Sequence, residues 1–167
     1  DAYLQLKTPS GNRYPDANAA IDRAVNNGCL ILNYTGHGGL IGWSEEVILD
    51  VPTIRAFDNL DNMPLFITAT CEFSRFDNPE FVSAGEYLFL NKNGGGIALM
   101  TTTRLAYAHA NIVVNRRIYE NLMQTDKGKQ PRLGDLVRVS KIPANTNYLN
   151  FDNKTQFIPI GENMCWQ

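Results

Sequence analysis

Cysteine is scarce in this sequence of 167 residues, and its three copies lie far apart. Cys29, Cys71 and Cys165 show no CxxC spacing, which argues against both a zinc knuckle and a disulfide-dense scaffold. The spacing still allows one disulfide. Cys71 is of more interest as a free thiol, because it ends an apolar run and is followed at once by polar chain.

Long apolar runs and an excess of one charge are also missing. No stretch approaches the roughly 20 apolar residues that span a bilayer, and no basic and apolar leader opens the chain. We therefore expect a soluble piece of a longer protein. The net charge is −2, from 15 basic and 17 acidic residues, and no basic run exceeds Asn-Arg-Arg at 115–117. This balance predicts no nucleic-acid partner.

The chain does have enough apolar sequence, 44%, for the core of one domain, which we expect to span 1–167. Apolar strands are predicted at 29–35, 64–70 and 96–103, and helices at 14–28, 79–91, 107–123 and 132–141. A polar connection precedes the second strand. Strands that are apolar throughout and separated by helices are typical of parallel strands covered on both faces. The sequence thus predicts an α/β three-layer sandwich with a mostly parallel sheet.

Two residues with catalytic potential follow predicted strands at equivalent positions. His37 comes just after the first strand and Cys71 just after the second. The carboxyl ends of parallel strands face a shared crevice, so the two side chains are expected to meet there. A nearby imidazole can accept a thiol proton or stabilise a thiolate, which lowers the pKa of a cysteine from about 8.5. The pattern therefore favours a Cys-His nucleophile and base.

Each member of this pair also has an ordinary structural explanation when it is taken alone. A cysteine beside a strand is usually a small buried hydrophobe, and a histidine between glycines can be a turn residue. Gly38 allows close approach of the backbone to a ligand, so the N–H groups of Gly38 and Cys71 are candidates for an oxyanion hole. A tight turn without a catalytic role is the alternative for the glycines.

Several separated blocks carry a resemblance to a known family. The sequences NYTGHGG, FITATCEFSRFDNPE, SAGEYLFL and GGGIALMTTTR, with Trp43 between the first two, resemble the gingipain-type cysteine peptidases of the caspase-like clan. Within that family they are most similar to the PorU-type sortases, the C-terminal signal peptidases of the type IX secretion system. The likeness is strongest over 14–141, and it implies a caspase-like fold with an upstream subdomain that supplies part of the cleft.

The resemblance implies a function that the residues alone do not show. It implies that His37 is the general base and Cys71 the nucleophile of an endopeptidase or transpeptidase. The expected protein substrates carry C-terminal sorting domains, which are removed as the cargo is transferred to a lipopolysaccharide-type acceptor. The implied location is the cell surface, at the outer membrane of a Gram-negative bacterium of the Bacteroidota, and secretion-machine subunits are expected partners. The alternative is a non-catalytic subdomain that binds cargo or a partner protein.

Other side chains are weaker candidates. Trp43 is predicted to form a wall of the substrate cleft, with core packing as the alternative. Glu72 is predicted to bind substrate. Four acids could orient His37, bind a substrate cation or simply be solvated in a loop: Glu45, Glu46, Glu72 and Asp77. His109 is expected to be an ordinary helix histidine. The glycines at 94–96 lack the Lys-Ser/Thr of a phosphate loop, and we predict no cofactor and no metal site.

Overall fold

Residues 3–125, 129–148 and 164–166 are described by the structure, a computed structural model, with side chains for 3–125 and 129–141. The strands are β1 Leu6–Thr8, β2 Gly11–Arg13, β3 Ile31–Thr35, β4 Gly38–Gly39, β5 Gly42–Trp43, β6 Leu49–Asp50, β7 Leu65–Ala69, β8 Ala98–Thr102 and β9 Met164–Trp166. The helices are α1 Pro15–Asn27, α2 Val51–Ala56, α3 Ala84–Leu90, α4 Ala108–Leu122 and α5 Leu133–Tyr148, with a 3-10 turn at Leu60–Asn62.

The central sheet has the strand order β3-β7-β8-β9. The first three strands are parallel and β9 is antiparallel at the edge. Residues of β7 are buried throughout, and so are those of β8. This is the continuous apolar pattern that strands covered on both faces require. The predicted mostly parallel sheet is confirmed, and the strand at 98–102 lies beside the strand that leads to Cys71.

Two apolar clusters cover the opposite faces of this sheet. Alternating residues of β7 and β8 point to each side, because successive side chains of a strand face opposite ways. One cluster joins the sheet to α4 and α5 through Leu65, Ile67, Ala98, Met100, Ala110, Val114, Ile118, Leu136 and Val137. The other joins it to α1, α2 and α3 through Val25, Trp43, Leu49, Ile54, Phe57, Phe66, Phe73, Ala84, Leu88 and Leu99. The three-layer sandwich is therefore confirmed.

Helix α1 forms where its sequence predicts it. Pro15 stands in the first turn, where its missing N–H costs no hydrogen bond. Gly28 ends the helix with a φ of 92°, a conformation that glycine adopts without a steric penalty. The chain then enters β3, so α1 and β3 together deliver His37 to the carboxyl end of the sheet.

The helix predicted at 79–91 begins later than expected. Pro79 lies in a turn, and α3 starts only at Ala84. Ser83 precedes the helix, and both its N–H and its hydroxyl donate to the Glu86 carboxylate, at 2.8 and 2.7 Å. This Ser-x-x-Glu pattern is a capping box, which satisfies N–H groups at the helix start and places that start at Ala84.

The polar connection before the second strand has more structure than the sequence indicated. It contains β4, β5, β6 and α2. The three strands have two residues each, which is too short for an apolar alternation to be recognised. Asp50 caps α2 by accepting from the Thr53 N–H at 2.9 Å, a signal that the sequence did carry.

No helix within the described part of the chain is both long and apolar enough to cross a membrane.

Candidate active site

His37 and Cys71 follow neighbouring parallel strands at matching positions. The register pairs Thr35 of β3 with Ala69 of β7, and each candidate residue lies two positions beyond its strand. The Gly36 N–H donates to the Ala69 carbonyl at 3.3 Å, which continues the pairing past the last strand residue. The structure thus brings the two segments that carry His37 and Cys71 side by side at one edge of the sheet.

The backbone that carries Cys71 is held from several sides. The Thr70 carbonyl accepts from Asn111 Nδ2 at 3.0 Å and from the Thr102 hydroxyl at 2.9 Å. On the other side of the cysteine, the Glu72 N–H donates to the Arg104 carbonyl at 3.2 Å. Thr70 and Thr102 are fully buried. Because the two hydrogen bonds to the Thr70 carbonyl are buried, the position of the backbone that leads into Cys71 is well defined.

The Cys71 thiol contacts the segment that follows β8. Its Sγ donates to the Ala106 carbonyl at 3.6 Å and accepts from the Ala106 N–H at 3.5 Å. An N–H aimed at sulfur stabilises a thiolate, whereas a carbonyl acceptor favours the protonated thiol. The Ala106 backbone therefore provides a partner for both protonation states. Cys71 is half-buried and is a free thiol, as is Cys29.

Gly38 lies directly against the residue before Cys71. A Cβ added at Gly38 would stand 2.8 Å from Thr70 Cβ, so only glycine fits at this distance. The Ser44 N–H donates to the His37 carbonyl at 2.8 Å, next to the Gly38–Trp43 pair of β4 and β5. This bond marks Gly38–Trp43 as a non-hydrogen-bonded pair, in which the N–H groups point away from the partner strand. The Gly38 N–H is thus directed away from β5, and its role in an oxyanion hole, shared with Cys71, stays a prediction.

Trp43 is linked to His37 through Tyr34. Its ring is 1% exposed and stacks on Tyr34, with centroids 4.5 Å apart. The Tyr34 hydroxyl in turn donates to the His37 carbonyl at 3.0 Å. The burial of Trp43 agrees with the core-packing alternative. In this structure the indole is linked to His37 through Tyr34, and its role as a wall of the substrate cleft stays a prediction.

The acidic residues after Cys71 are engaged in ion pairs. Glu72 has a φ of 50° and accepts from Arg75 at 2.9 Å. Asp77 pairs with Arg104, and the guanidinium of Arg104 holds the pKa of the Asp77 carboxyl below its ordinary value. The predicted role of Glu72 in substrate binding would require its carboxylate to exchange Arg75 for a substrate group. That role stays a prediction.

Glu46 lies in the turn at 44–47 that follows β5. Its carboxyl has a lowered pKa because of hydrogen bonds from the Ser44 side chain and its own backbone, with smaller contributions from the charges of His37 and Arg13. Glu45, its neighbour, is exposed. Within the described residues, no group of three or more His, Cys, Asp and Glu side chains has the arrangement of a metal site.

Sequence reasoning missed the residues that hold the site. Ala106 contacts the Cys71 thiol, and Asn111 and Thr102 donate to the Thr70 carbonyl that precedes it. Ala106 and Asn111 belong to none of the blocks named above, and Thr102 lies in one of them but had been given no role. Their partners are 32 to 41 residues away in the chain. The Thr-Thr-Thr run at 101–103 was a weak signal, since consecutive hydroxyls in a buried strand need hydrogen-bond acceptors. Asn111, as a polar residue within the buried stripe of α4, was another.

Comparison with known proteins agrees with this architecture. The structure of the complex of Porphyromonas gingivalis RgpB pro- and mature domains matches with a TM-score of 0.67 at 20% identity, over 80% of this chain and 32% of that one. The crystal structure of the Arg-specific cysteine proteinase gingipain R matches with a TM-score of 0.70, with the same identity and coverage. A third structure, described as a protease, matches with a TM-score of 0.61 at 17% identity, over 85% of this chain and 34% of its own. These similarities confirm that this chain has the caspase-like fold of the gingipains.

The chain thus spans about a third of the gingipain chains that it matches. No curated protein matches it significantly. Residues 1–163 match peptidase family C25. The resemblance expected from the His-Gly and Ala-Thr-Cys blocks is confirmed at the level of the family: this chain belongs to peptidase family C25.

Proposed function

We propose that this chain carries the nucleophile and the general base of a cysteine peptidase. The observation that supports the proposal most directly is the register of β3 and β7, which sets His37 and Cys71 at equivalent positions beyond adjacent strands. Membership of peptidase family C25 supports peptidase chemistry. Neither residue is needed in the core, because His37 is exposed and Cys71 is half-buried at the edge of the sheet.

The proposed reaction begins with proton transfer from the Cys71 thiol to the His37 ring. The sulfur then forms a bond to the carbonyl carbon of the scissile peptide, and the electron pair of the C=O bond moves to its oxygen. The N–H groups of Gly38 and Cys71 would stabilise that oxyanion. Collapse of the intermediate breaks the C–N bond, and His37 returns the proton to the leaving amine. A thioester remains on Cys71 until water or an amine acceptor resolves it.

The contact with Ala106 fits this sequence of events. In the resting thiol, the S–H proton is donated to the Ala106 carbonyl. Once the thiolate forms, the Ala106 N–H continues to stabilise it. The carbonyl contact must be released before attack, so small movements of the segment after β8 would control access to the thiolate.

A finer proposal concerns the substrate. Resemblance of the blocks around His37, Cys71 and the third strand to PorU-type sortases supports cleavage of C-terminal sorting domains from type IX secreted cargo at the cell surface. The acceptor would be a lipopolysaccharide-type amine, and secretion-machine subunits would be partners. If this is correct, Cys71→Ala should leave secreted cargo with its sorting domain attached, as measured by its intact mass. If the cargo has the same processed mass in the Cys71→Ala variant as in the unmodified strain, the sortase proposal is wrong.

The test of the catalytic pair is alkylation of Cys71 by iodoacetamide near pH 6.5, in the full native protein. Cys29 serves as an internal reference, because burial raises the pKa of its thiol and leaves less thiolate. We expect Cys71 to label faster than Cys29, and His37→Ala to slow Cys71 roughly tenfold. His109→Ala is the matched control, since His109 is the other histidine of the chain, and it should leave the rate unchanged.

Two results would contradict the catalytic proposal. Equal labelling of Cys71 with and without His37, in protein that is folded, would favour the non-catalytic binding subdomain. Slowing by His109→Ala and none by His37→Ala would assign the base to α4 instead.

A further inference from the structure

We propose that the ion pair of Arg104 with Asp77 is a latch that holds the segment after β8 against the Cys71 thiol. In the closed state the thiol is partly covered, and release of the ion pair uncovers it. The inference concerns regulation of the proposed site, and its meaning for peptidase chemistry rests on the proposed role of Cys71. It is based on the contact of Ala106 with the thiol, the anchoring of Arg104, and the exposure of the ion pair.

The segment 103–107, which follows β8, contacts the thiol with both backbone groups of Ala106. The Ala106 carbonyl accepts from Sγ at 3.6 Å, and the Ala106 N–H donates to Sγ at 3.5 Å. The contact with the carbonyl keeps the proton on the sulfur, because a carbonyl oxygen accepts from the S–H form and not from a thiolate. The thiol therefore has to leave this carbonyl before it can react.

Arg104 anchors this segment to the loop that follows Cys71. Its guanidinium donates from two nitrogens to the two carboxylate oxygens of Asp77. Its carbonyl accepts from the Glu72 N–H at 3.2 Å. Because Arg104 lies two positions before Ala106, a displacement of Arg104 also displaces the residue that contacts the thiol.

The two sides of the thiol are held with unequal strength. On the strand side, the hydrogen bonds from Asn111 and Thr102 to the Thr70 carbonyl are buried. On the other side, the side chains of Arg104 and Asp77 are 43% and 44% exposed. An ion pair with this exposure contributes little free energy, and dissolved ions weaken it further. Movement is therefore expected in the segment after β8 and not in the cysteine.

Glu72 lies where the loop and the segment meet, and its backbone is strained. Its φ of 50° is in the left-handed region, which costs free energy for a residue with a side chain. The contact of its N–H with the Arg104 carbonyl and the ion pair of its carboxylate with Arg75, at 2.9 Å, hold it there. Movement of the segment breaks the first contact and lets Glu72 relax, which lowers the free energy needed to open the latch.

The test measures alkylation of Cys71 by iodoacetamide at pH 9 in the full native protein, by mass spectrometry of the labelled peptides. An ordinary thiol, with a pKa of about 8.5, is mostly ionised at this pH, so the rate reports access to the sulfur and not the action of a base. The reagent is uncharged, so a change in protein charge does not attract or repel it. We expect Asp77→Asn to speed Cys71 labelling about twofold to fivefold, the range allowed by the free energy of one half-exposed ion pair.

Three comparisons show whether the effect belongs to this ion pair. Glu80→Gln removes an exposed charge from the same loop and should leave the rate unchanged. Cys29 is the internal reference, since it precedes β3 and so lies at the opposite end of the parallel sheet from Cys71. Asp77→Arg and Arg104→Asp should each speed Cys71 labelling alone, whereas the double variant, which reverses the pair, should return the rate toward that of the unmodified protein.

Salt provides a second measurement without any substitution at Arg104. Raising NaCl from about 0.02 M to about 0.5 M should speed Cys71 labelling in the unmodified protein, because salt screens an exposed ion pair. In Asp77→Asn the same change of salt should have no effect. A salt response of equal size in both proteins would overturn the latch.

The remaining outcomes also decide the proposal and separate it from the catalytic one. An unchanged or slower Cys71 rate in Asp77→Asn overturns the latch. Equal acceleration of Cys71 and Cys29 indicates general loosening, and equal acceleration by Glu80→Gln indicates a general charge effect; either result overturns it too. If Asp77→Asn speeds labelling at pH 9 while His37→Ala has no effect at pH 6.5, the latch stands and the catalytic proposal fails.

Discussion

Gly38 lies against the segment that carries Cys71 at a distance that leaves no room for a side chain. The nearest atom to an added Cβ would be Thr70 Cβ, which belongs to a fully buried residue directly after β7. The next glycine, Gly39, has no atom within 4 Å of the same hypothetical position. Gly39 therefore has room for a side chain and Gly38 does not.

Gly38→Ala should destabilise the protein by about 1–3 kcal/mol, because overpacking forces Thr70 or β4 to move. It should also slow Cys71 alkylation, since Thr70 precedes the nucleophile. Gly39→Ala should change stability by less than about 0.5 kcal/mol. Urea unfolding of both variants measures the difference. Equal stability of the two would contradict the close contact between Gly38 and Thr70.

Asp77 and Arg104 link the loop after Cys71 to the segment after β8. Their side chains form a two-point ion pair, and the hydrogen bond from Arg104 is the main cause of the lowered pKa of Asp77. A carboxyl with a lowered folded-state pKa stabilises the protein above its ordinary pKa of about 3.9. That stabilisation is lost as the pH falls through the lowered value. Because both segments flank Cys71, the ion pair also limits how far they can separate.

Asp77→Asn should therefore lower the melting temperature at pH 7 and bring it closer to that of the unmodified protein as the pH falls below about 4. Glu80→Gln removes an exposed charge from the same loop and should have no comparable pH-dependent effect. Thermal unfolding followed by circular dichroism across this pH range gives both curves. A difference that grows on acidification would contradict the stabilising role of the ion pair.

At the scale of elements, α4 and β8 hold the end of β7 through side chains. Asn111 is 8% exposed and donates to the Thr70 carbonyl, while Asn115, one turn later on α4, is half-buried and forms solvent-exposed hydrogen bonds with Asn33. A buried carbonyl that loses a hydrogen-bond partner costs free energy, because water cannot reach it. At a solvent-exposed amide, water replaces the lost hydrogen bond. Asn111 should therefore contribute more to the stability of the protein than Asn115.

Asn111→Ala should destabilise the protein by about 1–3 kcal/mol and slow Cys71 alkylation, and Asn115→Ala should do neither beyond about 0.5 kcal/mol. Chemical denaturation and the alkylation rate at pH 6.5 provide the two measurements. An Asn111→Ala variant as stable and as reactive as the unmodified protein would show that the Thr102 hydroxyl alone positions Thr70.

The elements also show what the sequence could and could not predict. The strands at 65–69 and 98–102 were predictable because burial on both faces demands unbroken apolar runs, whereas the strand at 31–35, which is only partly buried, was predictable from its β-prone residues and the glycine turn after it. The positions of His37 and Cys71 just beyond two of these strands followed from the same patterns. The strands β4, β5 and β6 were not, because two residues carry no period. The contacts of Ala106 and Asn111 with the cysteine segment depend on how β8 and α4 pack, which no local pattern encodes.

At the scale of the whole molecule, one sheet separates two apolar clusters. Ile67 points from β7 into the cluster with α4 and α5, whereas Phe66, its neighbour, points into the cluster that contains Trp43. Neither layer of helices can keep its apolar face covered if the sheet is lost. The two clusters should therefore unfold together, as expected for a cooperative domain of this size.

This coupling can be measured by changing one layer and observing the other. In a Trp166→Phe background, Trp43 is the remaining tryptophan, so its fluorescence reports on the layer of α1, α2 and α3. Ile67→Ala, on the opposite face, should destabilise by about 2–5 kcal/mol and shift the fluorescence and circular dichroism transitions equally in urea. Ile112→Ala is the matched control, because Ile112 is 55% exposed on α4, and it should shift both transitions little. Two separate transitions in Ile67→Ala, with Trp43 fluorescence unmoved, would show that the layers fold independently. The segments of His37 and Cys71 would then owe their alignment to the pairing of β3 with β7 alone.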